Sequence, residues 1–257
     1  MRAEKGWVPM PKLGEGMVNH KLADHFGFSA AKVDTLGATE YTLVTVALDA
    51  SGSVLAFQNE MEKCVQEIVK ACKLSPRADN LMVRLIKFND NLKEVHGFRP
   101  LSQCPLTDYD GFMQSGGGTA LFDGAYNAAE ATAIYGKQLI DNDYSANGLL
   151  VVITDGCDNS SKMTTAKVKE SLAKTTKAEY LESLVSLLIG VDMATQDIKY
   201  ILDKFHKDVG FTEFIALGDA KANTIAKLGR FISHSISQQS KSLGTGSASK
   251  PLDFLTI

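Results

Sequence analysis

Five residues with side-chain oxygens follow predicted strands or a glycine-rich loop. They are Asp49, Ser51, Ser53, Thr119 and Asp155. The first three lie in the segment DASGS, which begins with the last residue of the apolar run at 41–49, and the last follows the apolar run at 148–154. Two carboxylates and three hydroxyls, with no thiolate or imidazole, suit Mg²⁺ or Mn²⁺ better than Zn²⁺. The sequence therefore predicts one Mg²⁺ or Mn²⁺ ion per chain.

The charge of this predicted site indicates what would bind there. Two carboxylates balance a divalent cation only in part if most direct ligands are neutral hydroxyls, and an open coordination position then favours an incoming carboxylate. The predicted partner is therefore a protein that presents an Asp or Glu side chain.

The elements that must position these residues follow from the alternation of two kinds of apolar pattern. Five short, nearly continuous apolar runs are typical of strands buried on both faces. They lie at 41–49, 81–88, 148–154, 183–190 and 211–217. Segments with a period near 3.6 residues separate them and predict helices. This order predicts an open, mostly parallel, doubly wound (Rossmann-like) α/β sheet with helices on both faces, whose strand carboxyl ends share one edge.

The length of 257 residues accommodates one large domain with flanking segments. Residues 1–38 are predicted to be an N-terminal extension packed on the domain, 39–237 the sheet domain, and 238–257 a polar tail with an apolar end. A short strand is predicted near 94–101, at an edge of the sheet because of Pro100.

Three motifs in this order resemble the von Willebrand factor A (vWA) domain with an intact metal-ion-dependent adhesion site (MIDAS). They are DASGS at 49–53, the glycine-preceded Thr119 and TDG at 154–156, and the resemblance spans about residues 40–237. It implies that Ser51, Ser53 and Thr119 are direct or near-direct ligands. It also implies that Asp49 and Asp155 act through waters or hydrogen bonds, in a non-enzymatic protein-binding module.

Composition narrows the partner class further. A formal charge of -3 gives no excess of positive charge for nucleic acid or an anionic membrane. The amino terminus lacks the apolar region of a signal peptide, and the four cysteines have no zinc-binding or disulfide pattern. A cytoplasmic location is therefore expected. The chain looks similar to intracellular prokaryotic vWA proteins, which implies an adaptor for a MoxR-type AAA+ ATPase or a stress-response system.

Two alternative functions remain open. A strand that ends in Asp49 and a later TDG also resemble Mg²⁺-dependent phosphohydrolases of the haloacid dehalogenase type, but Ser51 stands where those enzymes need a second acid. The other alternative is a scaffold with a structural metal, in which the N-terminal extension or the apolar end of the tail makes the contacts. Cys157 and Asp158, beside the TDG motif, are assigned no role in the site.

Overall fold

The computed structural model describes residues 16–22, 26–177, 179–193 and 195–242. These residues form an eight-stranded sheet in the order β1-β2-β5-β4-β3-β6-β7-β8. The strands are β1 (Met17–Lys21), β2 (Gly27–Ala31), β3 (Glu40–Asp49), β4 (Leu81–Phe88), β5 (Leu92–Pro100), β6 (Ser145–Thr154), β7 (Leu184–Gly190) and β8 (Glu213–Ala216). The helices are α1 (Gln58–Lys73), α2 (Leu121–Asp141), α3 (Thr165–Thr175), α4 (Gln196–Val209) and α5 (Ala222–Ser242).

All five predicted strands are present, and four of them lie inside the sheet; the fifth, β8, is a short strand at its edge. β3 lies at the centre, parallel to β4 on one side and β6 on the other, and β7 and β8 continue the parallel arrangement. One apolar cluster joins the sheet to α1 and α5, and a second joins the opposite face to α2, α3 and α4. Because both faces are covered, nearly every residue of β3 and β6 is buried, which explains their continuous apolar runs.

The predicted edge position of the strand near 94–101 is wrong. β5 lies inside the sheet, antiparallel to β4 on one side and parallel to β2 on the other. Pro100 is its last residue, where the missing backbone donor disturbs little of the ladder. The edge prediction failed because residues 17–31, which have weak periodicity, supply two further strands beyond β5.

The two predicted flanking segments are described only in part. From the N-terminal extension, β1 and β2 form an antiparallel pair that joins the main sheet. α5 continues to Ser242, beyond the predicted start of the tail. Residues 1–15 and the apolar end at 251–257 lie outside the described residues, so the predicted domain boundaries and tail contacts stay predictions. Among the helices of the described part, none is long and apolar enough to cross a bilayer.

A buried ion pair fastens the N-terminal strands to the sheet. β2 and β5 share one registered pair, Ala30 with Phe98. Side chains supplement this short pairing, because Glu94 accepts hydrogen bonds from the backbone and hydroxyl of Ser29 and binds Arg84 at 2.8 Å. The Arg84 side chain is fully buried. The pair therefore holds β2, β4 and β5 together in the interior of the fold.

Candidate metal site at the carboxyl edge of the sheet

The first part of the site is the turn between β3 and α1. Asp49 is the last residue of β3 and is 2% exposed. Its carboxylate accepts hydrogen bonds from the Ser51 backbone at 2.8 Å and from the Thr154 hydroxyl, at the end of β6, at 2.6 Å. Asp49 therefore fixes the turn that follows it and links that turn to the neighbouring parallel strand.

The hydroxyls of this turn form a short chain of oxygens with the second carboxylate. Ser51 Oγ lies 3.1 Å from Ser53 Oγ, and Ser53 Oγ donates to Asp155 Oδ1 at 2.9 Å. Adjacent oxygens around an octahedral ion with bonds of 2.0–2.1 Å are about 2.9 Å apart. The 3.1 Å between the two serine oxygens is therefore compatible with neighbouring positions around one Mg²⁺-sized cation, and Asp155 orients the Ser53 hydroxyl by a hydrogen bond.

The glycine-rich loop brings Thr119 to the same edge. The loop backbone is held against the DASGS turn, because Gly52 N donates to Gly117 O at 3.0 Å and Gly116 N donates to Ala50 O at 2.9 Å. Gly117 has a φ of 81°, and a Cβ there would lie 2.1 Å from a carboxylate oxygen of Asp90. The close approach of this loop therefore requires glycine.

Thr119 itself has a fixed backbone and a free hydroxyl. Its backbone N–H donates to Asn159 Oδ1 at 2.7 Å, and its carbonyl accepts from Asn159 N at 3.0 Å. The residue is 4% exposed, and its hydroxyl makes no hydrogen bond within the part of the chain that the structure describes. Although the residue as a whole is buried, its hydroxyl oxygen keeps access to solvent and is free to coordinate a cation.

The electrostatics of the site favour a cation. Burial raises the pKa of Asp49 to about 6, against the hydrogen bonds from Thr154 and Ser51, and the charge of Asp155 adds to the rise. Burial also raises the pKa of Asp155, as does the charge of Asp192. The fold thus disfavours the negative charges of Asp49 and Asp155, and a bound divalent cation would compensate these charges.

The donors at this edge are carboxylate and hydroxyl oxygens, which suit a hard cation. Across the described ranges, no group of three or more His, Cys, Asp or Glu side chains is placed to hold a metal. A cation at this edge would therefore depend on hydroxyl ligands, as the family resemblance implies for Ser51, Ser53 and Thr119. The structure joins Asp49, Ser51, Ser53 and Asp155 by direct or shared hydrogen bonds and holds Thr119 beside them through the glycine loop.

Three residues that support the site were not predicted. Thr154 holds the Asp49 carboxylate, Asn159 holds Thr119, and Asp90 accepts a hydrogen bond from Gly118 N at 2.9 Å. Asp90 and Asn159 follow β4 and β6, and Thr154 ends β6 as the first residue of the TDG motif; these positions were the signal in the sequence. Asp158, to which no role in the site was assigned, accepts from the backbone of Phe122 at the start of α2 and from the Ser161 hydroxyl. These contacts connect Asp158 to the first turn of α2.

The fold and the geometry of this edge agree with a comparison of the sequence with protein families. The family model for the von Willebrand factor type A domain matches residues 44–204, which is more than half of the chain. The chain therefore belongs to the von Willebrand factor type A domain family, whose members are generally metal-dependent protein-interaction modules. No curated protein matches the chain significantly.

Solved structures show the same fold at low sequence identity. A variant of the PilB minor pilin from Streptococcus sanguinis matches with a TM-score of 0.56 and 13% identity, over 83% of this chain and 65% of that one. The pilus adhesin SpaC from Lactobacillus rhamnosus GG matches with a TM-score of 0.53 and 11% identity, over 87% and 32%.

A third structure is described with a metal. It is proximal thread matrix protein 1 from the mussel byssus, with a zinc-occupied MIDAS motif, at a TM-score of 0.51 and 15% identity, over 80% of this chain and 47% of that one. This chain thus spans less than two thirds of each of these proteins, and the likeness shows the fold alone.

Proposed function

We propose that this chain binds a partner protein through a divalent cation held at the carboxyl edge of the sheet. The observation that carries the proposal is the pair of hydroxyls of Ser51 and Ser53, whose oxygens are 3.1 Å apart, with the Asp155 carboxylate accepting a hydrogen bond from Ser53 at 2.9 Å. Ser51, Ser53 and Thr119 would supply direct ligands. Asp49 and Asp155 would orient them through hydrogen bonds and bind the remaining waters.

The cation would supply positive charge and an open coordination position in a site that is otherwise acidic. A carboxylate from the partner would complete the coordination, and an Asp or Glu side chain is therefore the proposed contact. We propose Mg²⁺ or Mn²⁺ as the resident ion because all five side chains offer hard oxygen donors. The zinc described for the mussel protein makes direct competition among the three metals a necessary measurement.

The role of Thr119 can be tested with an isosteric substitution. Thr119→Val keeps the shape of a buried side chain whose hydroxyl has no other described partner, so we expect the fold to be retained. We expect affinity for Mn²⁺ or Mg²⁺, measured by calorimetry, to fall at least about tenfold, because loss even of an outer-shell partner typically costs 10- to 100-fold.

Thr42→Val is the matched control. Thr42 lies near the start of β3, is fully buried, and also has a hydroxyl without a described partner. Its replacement removes the same group at a distance from the site, and metal affinity should not change. Equal affinities for wild type and Thr119→Val would contradict the assignment of Thr119 as a ligand.

The biological setting is also part of the proposal. We propose a non-enzymatic, cytoplasmic adaptor, with a MoxR-type AAA+ ATPase as one partner to test. Purified ATPase should bind the immobilised chain in Mg²⁺ and be released by chelator.

A generic phosphate ester should not be hydrolysed, because Ser51 offers a hydroxyl where phosphohydrolases of the haloacid dehalogenase type need an acid. Turnover that is lost in Asp49→Asn would favour the phosphohydrolase instead.

A further inference from the structure

Two exposed carboxylates flank the candidate metal site along the edge of the sheet. Asp90 follows β4 and Asp192 follows β7, each two residues after the end of its strand. In the sheet, β4 and β7 are the outer neighbours of β3 and β6, whose ends carry the site. The two carboxylates therefore lie on opposite sides of the place where a partner carboxylate would bind.

Both flanking residues are anchored close to the site. Asp90 Oδ1 accepts a hydrogen bond from Gly118 N, in the loop that leads to Thr119. Hydrogen bonds fix the backbone on either side of Asp192: Val191 N donates to Thr154 O and Met193 N donates to Leu217 O, each at 2.8 Å. Asp192 thus lies directly beside the TDG turn.

Neither carboxylate has a cationic partner within the described ranges, whereas two half-buried acids of the fold do. Asp203 pairs with Lys207, and Asp219, which follows β8 further along the same edge, pairs with Lys221 at 3.1 Å. Asp90 and Asp192 form no such pair among the described side chains. They are available for cations of a bound protein.

The spacing of the strands determines which residues of a bound partner segment can reach Asp90 and Asp192. Neighbouring strands are about 4.8 Å apart, so β4 and β7 each lie about 7 Å from the midpoint between β3 and β6. An extended segment advances about 3.3 Å per residue, and residues two apart point to the same side. A segment that crosses the strand ends therefore reaches both flanks with the residues two before and two after the one at the centre.

We propose that the partner segment carries a Lys or Arg two residues before and two residues after the Asp or Glu that binds the cation, and that these basic residues contact Asp90 and Asp192. This inference rests on the proposed function and adds the identity of the flanking residues. The pattern provides charge complementarity, which gives specificity more than raw affinity. Partners whose metal-binding carboxylate lies in an acidic segment would be repelled.

A displayed peptide library with a fixed central Asp and random flanks tests the pattern. Clones that bind the full chain in MgCl₂ and are eluted by EDTA should be enriched in Lys or Arg at positions -2 and +2. A synthetic Lys-flanked peptide should bind about five- to tenfold more tightly than a Glu-flanked one, and the difference should shrink in high salt. Magnesium-dependent clones without this enrichment would overturn the inference and leave the proposed function standing.

Variants at Asp192 supply the second arm of the test. Asp192 has a φ of 57°, a conformation that Asn tolerates well, so Asp192→Asn removes the charge without backbone strain. It should abolish enrichment at one flank, and Asp192→Lys should reverse it to Asp or Glu. Asp79→Lys is the control, since Asp79 is exposed before β4 at the opposite end of the sheet. Unchanged enrichment in both Asp192 variants would overturn the inference.

The two proposals fail in different ways. If no magnesium-dependent clone is selected and calorimetry detects no cation binding, both the proposed function and this inference are wrong. If the cation binds and clones are selected, only their flanking residues decide the inference.

Discussion

Asp49→Ala is expected to abolish the stabilisation of the chain by Mg²⁺ while the fold is retained. A ligand present at 100 times its dissociation constant stabilises a folded protein by about 2.7 kcal/mol. The variant should lose this gain because Asp49 orients both the Ser51 turn and Thr154. Thermal melts in MgCl₂ and in EDTA measure the effect.

The melts in EDTA separate a damaged site from a damaged fold. Burial raises the pKa of Asp49 to about 6. Near neutral pH the ionised carboxylate therefore lowers the stability of the metal-free fold. In EDTA the variant should melt close to the wild-type temperature, because the loss of two hydrogen bonds opposes the relief of the buried charge, and in MgCl₂ it should melt below it. Asp79→Ala, which removes an exposed carboxylate far from the site, should keep the full response to Mg²⁺. A Mg²⁺ response that survives in Asp49→Ala would contradict the role of Asp49.

The largest loss of stability is expected for Glu94→Ala. It would leave the guanidinium of Arg84 buried without its ion-pair partner, and breaking a buried pair typically costs 3–5 kcal/mol. Burial lowers the pKa of Arg84, whereas Glu94 raises it, so the carboxylate is what makes the charged form tolerable. Denaturant unfolding, followed by circular dichroism, measures the free energy of unfolding.

Two further variants test the cause of this loss. Glu40→Ala breaks the pair with Arg77, which is about 30% exposed, and should cost less than about 1 kcal/mol. The double variant Arg84→Met, Glu94→Leu should recover only the part of the loss that comes from the unpaired guanidinium, because the Ser29 donors and the Asn127 acceptor stay without their partners. A cost for Glu94→Ala as small as that for Glu40→Ala would show that the pair does not fasten β2 to the sheet.

The sequence was sufficient for the parts of the fold that burial dictates. Strands covered on both faces give continuous apolar runs, and the run at 81–88 is β4 residue for residue. Residues that follow such strands share one edge, which is why the sequence could bring Asp49 and Asp155 together. The family match confirms the class of fold, and the ligand assignments stay predictions that the geometry supports.

The parts that the sequence did not predict depend on long-range contacts. β2 has a short run of small residues and joins β5 through the Glu94 network and the close approach of Gly97, where a Cβ would lie 1.9 Å from Ser29 O. Neither feature produces a hydrophobic periodicity in the local sequence. The role of Asn159 is also invisible in its own segment, because its partner is Thr119, 40 residues earlier.

The most direct test of the central claim is a count of bound Mn²⁺ by electron paramagnetic resonance. Titration of the wild-type chain should remove the free Mn²⁺ signal until one ion is bound per chain, and excess Mg²⁺ should restore it. Asp49→Ala should leave the signal free throughout. No binding to the wild type, or equal binding to both proteins, would contradict a cation site built on Asp49, Ser51, Ser53, Thr119 and Asp155.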